Sequence, residues 1–286
     1  MLKSLFGLEP QQEQDGSFRP SKLALKLATK DVTDYKPVAY NTYKGKRSKV
    51  LVVFTETKNM TMKNGREFST GNHPVEALVP MLHLKNAGFD FEVATPRGKP
   101  VVFEMWAMPT KDTAVMGLYA ELKPRFENPR ALPEALEELR TGGDFYAAVF
   151  VPGGHGAMLG IPHDRNVGAM LRLAHERELF TISICHGPGS LLATSLEGHD
   201  FLYSGYEMAV FPDSVDKQTP MIGYLPGHMP WQLGAQLKSL GAKLVNKKGD
   251  DTCCVDRKLI TGASPAASDK LGKLAAKTLL EHLETT

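Results

Sequence analysis

The chain has 286 residues, of which 42% are hydrophobic and 23% are charged, a composition that allows a substantial buried core and is typical of a globular protein. Its 34 basic and 32 acidic residues give a formal net charge of +2. The basic residues form no block, so the charge pattern does not indicate a nucleic-acid partner. Three cysteines are too few for a disulfide framework and favour reduced thiols in the cytosol.

Residues 1–47 carry the weakest secondary-structure signal. They are rich in Pro, Lys, Gln and Asp without a sustained period, which predicts an extended arm that wraps the core or an oligomer partner. The first residues are interrupted at Gly7 and Pro10, which makes the apolar stretch too short for a signal peptide or a membrane span. We therefore expect a cytoplasmic protein that does not contact a membrane.

From residue 48 onward, short apolar runs alternate with helical segments, the pattern of buried parallel strands joined by crossover helices. Strands are predicted at 49–55, 89–95, 146–151, 179–184, 206–211, 242–246 and 257–261. Amphipathic helices are predicted at 73–88, 166–178, 229–241 and 268–283. This alternation indicates an α/β fold in which helices sandwich a mostly parallel sheet.

Residues 100–140 interrupt the alternation and are interpreted as an accessory lid or small subdomain inserted into a core of residues 48–286. In open α/β sheets, ligand chemistry collects at the carboxyl ends of the strands. Three polar or glycine-rich segments follow predicted strands at that edge, namely PGGHG (152–156), CHGPG (185–189) and FPDSVDKQTP (211–220).

Cys185 ends an apolar strand and is followed at once by His186 and Gly187, an arrangement typical of a nucleophile elbow. The amides of a following helix would favour an anion, so we expect a thiol pKa below the free value of about 8.5 and a largely ionised thiol. A lone cysteine in an apolar run often only packs a strand. The adjacent histidine and the glycine favour the nucleophile here.

His186 needs a third group to orient it. Asp216 is the first candidate and Asp213 the second, although loop carboxylates are more often simply solvated. Gly153 and Gly154 follow a strand, and their exposed amides could form an oxyanion hole together with the amide of His186, although two adjacent glycines also occur in plain turns.

Glu76 lies in the first turn of the helix predicted after Asn72. A carboxylate at this position commonly serves in a capping box. The same helix end should open on the edge that carries Cys185, where a partly desolvated carboxyl with a raised pKa could move a proton.

The motifs STGNHPVE, FVPGGHG and ICHGP together resemble the DJ-1/PfpI superfamily, and specifically its Hsp31 (HchA-type) branch of glyoxalase III enzymes and chaperones. The resemblance runs from about residue 35 to the C-terminus and includes EMWAMP and DRKLITGASP. It implies a flavodoxin-like core with a small accessory subdomain, a homodimer, and conversion of methylglyoxal or glyoxal without a cofactor, the former to D-lactate. It further implies Cys185 as the nucleophile, His186 and Asp216 as its partners, and Glu76 as the acid/base group.

Relatives in this branch are also expected to remove early glycation adducts from proteins or nucleotides and to hold unfolded chains. Many carry a His, Glu, His metal site, but the matching positions here are Lys85, Asp90 and Leu122, and His83 nearby does not restore the spacing. We therefore predict that this chain has no such metal site and needs no cofactor.

Three other interpretations remain open at this point. An amidase or peptidase could use the same Cys, His and Asp groups. A glutamine amidotransferase shares the elbow but needs a distant His-x-Glu pair. Residues 282–284 have that spacing but lie at the end of the last amphipathic helix, where a frayed polar end is the more ordinary interpretation. A holdase chaperone without catalysis would need an exposed apolar patch.

Overall fold

The fold is seen in a computed structural model that describes residues 7–142 and 144–283. In that part of the chain, a seven-stranded sheet has the order β12-β13-β9-β8-β3-β6-β7. All its neighbouring strands are parallel except β12 and β13, which form an antiparallel hairpin at one edge. A second sheet has the order β1-β2-β5-β4, and β10 pairs with β11 alone.

The strands are β1 (Gln11–Gln12), β2 (Phe18–Arg19), β3 (Lys49–Val53), β4 (Asn59–Thr61), β5 (Glu67–Ser69), β6 (Asp90–Thr95), β7 (Arg130–Ala131), β8 (Tyr146–Val151), β9 (Phe180–Ile184), β10 (Glu207–Met208), β11 (Lys243–Leu244), β12 (Cys253–Asp256) and β13 (Leu259–Gly262). The helices are α1 (Lys22–Ala28), α2 (Pro74–Asn86), α3 (Thr113–Glu127), α4 (Leu132–Thr141), α5 (Arg165–Glu176), α6 (Asp213–Gln218), α7 (Leu233–Ser239) and α8 (Ser268–Leu283).

The large sheet is buried on both faces because its strands are almost continuously apolar. Along β3, Leu51 and Val53 face one core, whereas Val50 and Val52 face the other, as the two-residue repeat of a strand requires. Helices α4 and α5 cover the first face, and α2, α3 and α8 cover the second. The predicted mostly parallel α/β sandwich is confirmed.

Helix α2 shows how particular residues set where these elements start and end. It starts with Pro74 at its first position after the N-cap His73, and it ends just before Gly88, whose φ of +97° suits glycine. The helices predicted at 166–178 and 268–283 are likewise present.

Two predicted strands do not belong to the large sheet. The segments 206–211 and 242–246 pair only through β10 and β11, in a separate two-stranded sheet. Both segments contain a strand as predicted, but each strand is only two residues long, and polar side chains take up the adjoining backbone groups. The N–H of Ala209 donates to the Thr261 hydroxyl, and the N–H of Val210 donates to the Asn246 side chain.

The described part of the N-terminal arm lies along the core. Its backbone donates from Ser21 to Gly223, from Tyr43 to Ala87 and from Lys36 to the Asp269 carboxylate. It includes β1, β2 and α1, so it is less extended than its composition suggests.

The segment 100–140 supplies α3, which packs on α2, and β7, which closes one edge of the large sheet. Among the described residues, no helix combines the length and the apolar character needed to cross a bilayer.

The order of the strands shows at which edge of the large sheet a ligand site is expected. The chain proceeds from β3 to β6 on one side and later to β8 and β9 on the other, so the direction of winding reverses between β3 and β8. The carboxyl ends of strands at such a reversal leave a crevice for ligands. Pro152 and Cys185 follow β8 and β9 directly at that edge.

Candidate active site

Cys185 lies on a strained turn immediately after β9. Its φ is +59°, a conformation that costs a non-glycine residue free energy and persists only where the surroundings impose it. Its N–H donates to the carbonyl of Gly262 at 2.8 Å, and its carbonyl accepts from Phe211 at 2.9 Å. The backbone is therefore held from both sides, and the predicted elbow is present.

His186 links this thiol to Asp216. The Nε2–H group of His186 donates to Oδ2 of Asp216 at 2.8 Å, which leaves Nδ1 as an acceptor. The Cys185 Sγ atom lies 3.3 Å from that Nδ1. The ring can therefore accept the thiol proton while the carboxylate holds its orientation.

Between the two candidate carboxylates, the structure pairs Asp216 with His186. Asp213 instead accepts hydrogen bonds from the N–H groups of Gly234 and Ala235 at the start of α7. The remaining oxygen of Asp216 accepts from Nε2 of His155 at 3.0 Å. Burial opposes ionisation of Asp216, but the two histidines outweigh it and hold the pKa of this carboxyl below its usual range.

Glu76 reaches the thiol from the first turn of α2. It is fully buried, and neither of its carboxyl oxygens makes a hydrogen bond of ordinary geometry to a described residue, so it does not act in a capping box. Gly153 explains the close approach, since a Cβ at that position would lie 2.1 Å from Oε2 of Glu76 and 2.8 Å from Cβ of Cys185. Burial, with the charge of Glu104 added, raises the pKa of Glu76 well above its usual range.

The protonation of the thiol differs from the expectation. Burial raises the pKa of Cys185 well above its ordinary value, and the Glu76 carboxyl raises it further. The prediction of a largely ionised thiol at neutral pH is wrong, because the turn places Cys185 inside the core and not at an open helix end. The thiol therefore needs a base, and Nδ1 of His186 is in position.

The glycines predicted for an oxyanion hole have different surroundings. The N–H of Gly154 lies close enough to Cys185 and Glu76 to lower the pKa of both. Gly153 instead packs directly against Glu76, and its carbonyl accepts from the N–H of His73 at 2.9 Å. Of the two glycines, Gly154 is the one whose amide faces the thiol.

Cys185, His186, Glu76 and Gly154 line a cavity of about 400 Å³. The same cavity is lined by four titratable residues that the sequence did not single out, His73, Glu104, His155 and Tyr224. His155 belongs to PGGHG, in which the glycines carry the sequence signal. His73 is the N-cap of α2, and burial lowers its pKa to about 3. Glu104 opens EMWAMP, where a single charge in a long apolar stretch was the available signal.

The positions that match the relatives' metal ligands lie in other contacts. Lys85 forms an ion pair with Glu121, Asp90 binds Arg125 at 2.8 Å, and Leu122 is buried in the core. His83 bonds to Tyr40 and Asp269. The absence of this metal site stays a prediction. The ion pairs of Lys85 and Asp90 support it, because both charged side chains are engaged with other residues.

The His-x-Glu alternative at 282–284 includes Glu284, which lies outside the described residues. The ring of His282 packs on Phe180, at the start of β9, whereas Cys185 follows the other end of that strand. A strand of this length spans about 17 Å, so His282 does not lie beside the thiol.

Comparison with known proteins places these features in a family. The protein/nucleic acid deglycase HchA of Pseudomonas aeruginosa (strain UCBPP-PA14) is 46% identical over 275 residues, which cover 95% of this chain and 94% of that protein. The HchA deglycase of Escherichia coli O157:H7 is 45% identical over 268 residues, with 93% of each chain covered. No family model matches the chain.

Solved structures agree on the fold. The Rapid Encystment Protein of Francisella tularensis superposes with a TM-score of 0.68 at 19% identity, covering 81% of this chain and 99% of that one. Glyoxalase III of Candida albicans superposes with a TM-score of 0.62 at 19% identity, covering 81% and 98%.

The flavodoxin-like sheet and the buried cysteine on its elbow define a protein of the DJ-1/PfpI superfamily, as the sequence motifs indicated. Within that superfamily, the identity to HchA deglycases along nearly the whole chain is decisive. The chain belongs to the HchA family.

Proposed function

We propose that this protein is a glyoxalase III that converts methylglyoxal to D-lactate without glutathione, and that the same site removes early glycation adducts. One observation carries the proposal: a buried thiol lies between the His186–Asp216 pair and the Glu76 carboxyl, inside a cavity that suits a small substrate. The names of the HchA relatives and of the Candida structural neighbour support it.

The first step is addition of the thiol to the aldehyde. Nδ1 of His186 takes the thiol proton as sulfur bonds to the aldehyde carbon, and Glu76, which its raised pKa keeps protonated at rest, gives its proton to the aldehyde oxygen to form a hemithioacetal. His186 stays protonated until sulfur departs. Asp216, which accepts from both His186 and His155, stabilises the charged imidazole formed during this step.

The second step moves a proton between two carbons. In its ionised form, Glu76 takes the proton of the former aldehyde carbon and returns it to the neighbouring carbonyl carbon through an enediol. The product is a thioester of lactate on Cys185. A raised pKa makes the Glu76 carboxylate a stronger base than an exposed one, which suits a weakly acidic carbon.

The third step is hydrolysis of the thioester. Water attacks the carbonyl carbon, the carbon–sulfur bond breaks, and lactate leaves with the thiol restored. The N–H of Gly154, which faces the thiol, is assigned to the developing oxyanion, together with the amide of His186. Gly153 provides the space that lets Glu76 approach.

The deglycase activity needs no further machinery. An early adduct of methylglyoxal on an amine or a thiol releases or presents the same carbonyl carbon to Cys185. Substrates of the proposed enzyme are thus small 2-oxoaldehydes and their adducts on proteins or nucleotides. A cytoplasmic homodimer is part of the proposal, and the holdase activity implied by the sequence resemblance stays a prediction.

The proposal is tested with purified protein and methylglyoxal in the absence of glutathione and nucleotide and in the presence of a metal chelator. We expect D-lactate, measured with an enantiomer-specific assay, at an undiminished rate with the chelator. Peptide hydrolysis without consumption of the aldehyde would support the amidase interpretation instead. Loss of activity with the chelator would contradict the prediction that the reaction needs no metal or other cofactor.

A further inference from the structure

Glu104 is a second buried carboxyl in the active-site cavity, and the three steps above do not use it. It is 1% exposed and lines the same cavity as Glu76 and Cys185. Its Oε1 accepts a hydrogen bond from the Thr70 hydroxyl at 2.6 Å, whereas Oε2 has no partner among the described residues. A buried carboxyl oxygen without a partner is rare in folded proteins and calls for a functional explanation.

The backbone around Glu104 is held in place. The N–H of Glu104 donates to the carbonyl of Asn72 at 3.0 Å, and the N–H of Asn72 donates to Val102 at 2.8 Å. The Asn72 side chain also bonds to both backbone groups of Thr55, just after β3. The carboxyl is therefore fixed relative to the carboxyl edge of the sheet and does not sit on a mobile loop.

The surroundings of Glu104 bring its pKa close to neutral pH. Burial raises its pKa to about 7, opposed by the charge of His155 and by the Thr70 hydrogen bond. The other titratable groups of the cavity are Glu76, His73, Cys185, His155, His186 and Tyr224. A carboxyl that titrates near the working pH has the properties of an effective general base.

The two carboxyls enter the cavity from different elements. Glu76 comes from α2 and lies against Gly153 and Cys185, within reach of the carbons bonded to sulfur. Glu104 comes from the segment before Trp106, whose ring packs on Tyr224, and Tyr224 in turn packs on His155. Glu104 thus enters the same cavity from a different segment, near enough to Glu76 for its charge to add to the raised pKa of Glu76.

We propose that Glu104 is a catalytic residue of the hydrolytic step, as the general base that deprotonates the water attacking the Cys185 thioester. The inference rests on the proposed function. The proton of water passes to Oε2 of Glu104, the water oxygen bonds to the carbonyl carbon, and the carbon–sulfur bond breaks. The departing sulfur takes its proton from His186, and Glu104 gives its own to solvent, so that acid and thiol are formed from thioester and water.

The test is Glu104→Gln, which keeps the shape of the side chain and removes the base. Enzyme is mixed with methylglyoxal, quenched in acid, and weighed intact by mass spectrometry. We expect turnover to fall about 100-fold while the first turnover still acylates the enzyme. An adduct with the mass of one methylglyoxal should accumulate on Cys185, and hydroxylamine should cleave it, as a thioester requires. Glu137→Gln, on the exposed side of α4, is the matched control and should accumulate no adduct.

Three results separate the possibilities. If Glu104→Gln turned over as fast as the wild type, the inference would be overturned. It would also be overturned if the variant lost turnover without accumulating the thioester, since Glu104 would then act at an earlier step. If the wild-type enzyme formed no lactate, the proposed function itself would fail.

Thr70→Val provides a second test that keeps the carboxylate. It removes a hydrogen bond that lowers the pKa of Glu104, so the rise of the hydrolysis rate with pH should move to higher pH. The full rate should return in alkaline buffer. A pH profile that does not shift in this variant would contradict a role for Glu104 as the base, even if Glu104→Gln failed to fold.

Discussion

Two buried histidines of this protein have nearly the same hydrogen-bond partners. His186 donates from Nε2 to Asp216 at 2.8 Å, and its Nδ1 faces the thiol of Cys185 at 3.3 Å. The Nε2 atom of His83 lies 2.9 Å from Asp269, and its Nδ1 lies 3.0 Å from the hydroxyl of Tyr40. A buried His–Asp pair with a third polar group is therefore not in itself evidence of catalysis.

The difference lies in the third group and in the free space beside it. Burial raises the pKa of both third groups, Tyr40 to about 12 and Cys185 well above its ordinary value, but sulfur is an intrinsically stronger nucleophile than a phenol oxygen. The His83 ring packs against α8 so closely that a Cβ on Gly272 would lie 2.6 Å from Cδ2. His83 thus joins the arm, α2 and α8 into one structure, whereas His186 faces a cavity and a thiol on a strained turn.

The largest expected effect concerns the thiol and its carboxyl neighbour. Cys185→Ser removes the nucleophile at nearly constant volume, and Glu76→Gln removes the proton carrier. Each should lower lactate formation by about 10³-fold or more, and the double variant should be scarcely worse because both groups serve one covalent sequence. Steady-state lactate assays of the three variants measure this.

The other two cysteines serve as the control for that experiment. Cys253 and Cys254 lie on the edge strand β12, and burial raises the pKa of Cys253 to about 12. Changing both to Ser should leave the rate unchanged. Activity retained by Cys185→Ser would remove the basis of the proposed mechanism.

The structural pair should respond in stability and not in rate. His83→Leu removes the hydrogen bonds of His83 to the Tyr40 hydroxyl and to the Asp269 carboxylate. This loss should lower the free energy of unfolding by about 1–3 kcal/mol. Urea unfolding measures the loss. Asp269 keeps Lys273 and the N–H of Lys36, so the fold should survive. The folded variant should form lactate at the wild-type rate. A large loss of rate would contradict the comparison, because His83 would then contribute to catalysis as His186 does.

A smaller effect concerns pH. Burial lowers the pKa of His83 in the folded state below the value of about 6.5 expected in the unfolded chain. The unfolded state therefore binds more protons, so this contribution to stability is complete above about pH 6.5 and is lost as the pH falls. The stability difference between the wild type and His83→Leu should shrink on acidification from pH 7 to 5. A difference that grew over this range would mean that the fold favours the charged ring.

Much of the fold and part of the site could be predicted from local sequence. Apolar runs marked β3, β8 and β9, and Pro74 and Gly88 marked the ends of α2. Cys185 was recognisable because the residues that define its elbow are adjacent in sequence. These signals are local, and their physical causes lie within a few residues.

The remainder depends on contacts between distant segments. Glu104 and His155 enter the cavity from different loops. PGGHG marked the loop of His155, but nothing in the local sequence indicates that its side chain reaches Asp216. The thiol pKa could not be predicted, because the desolvation that raises it comes from segments packed over the elbow. The pairing of His83 with Asp269 crosses 186 residues of chain and is set by how α8 packs on α2.

The most direct test of this comparison is one D-lactate assay on two matched variants, Asp216→Asn and Asp269→Asn. Both replace the carboxylate partner of a buried histidine with an amide of the same shape. We expect a loss of about 10²- to 10⁴-fold for Asp216→Asn, because His186 loses the partner that fixes its tautomer. We expect a rate within about twofold of wild type for Asp269→Asn. Equal losses in both variants, or a loss confined to Asp269→Asn, would contradict the assignment of the Cys185 site as the centre of catalysis.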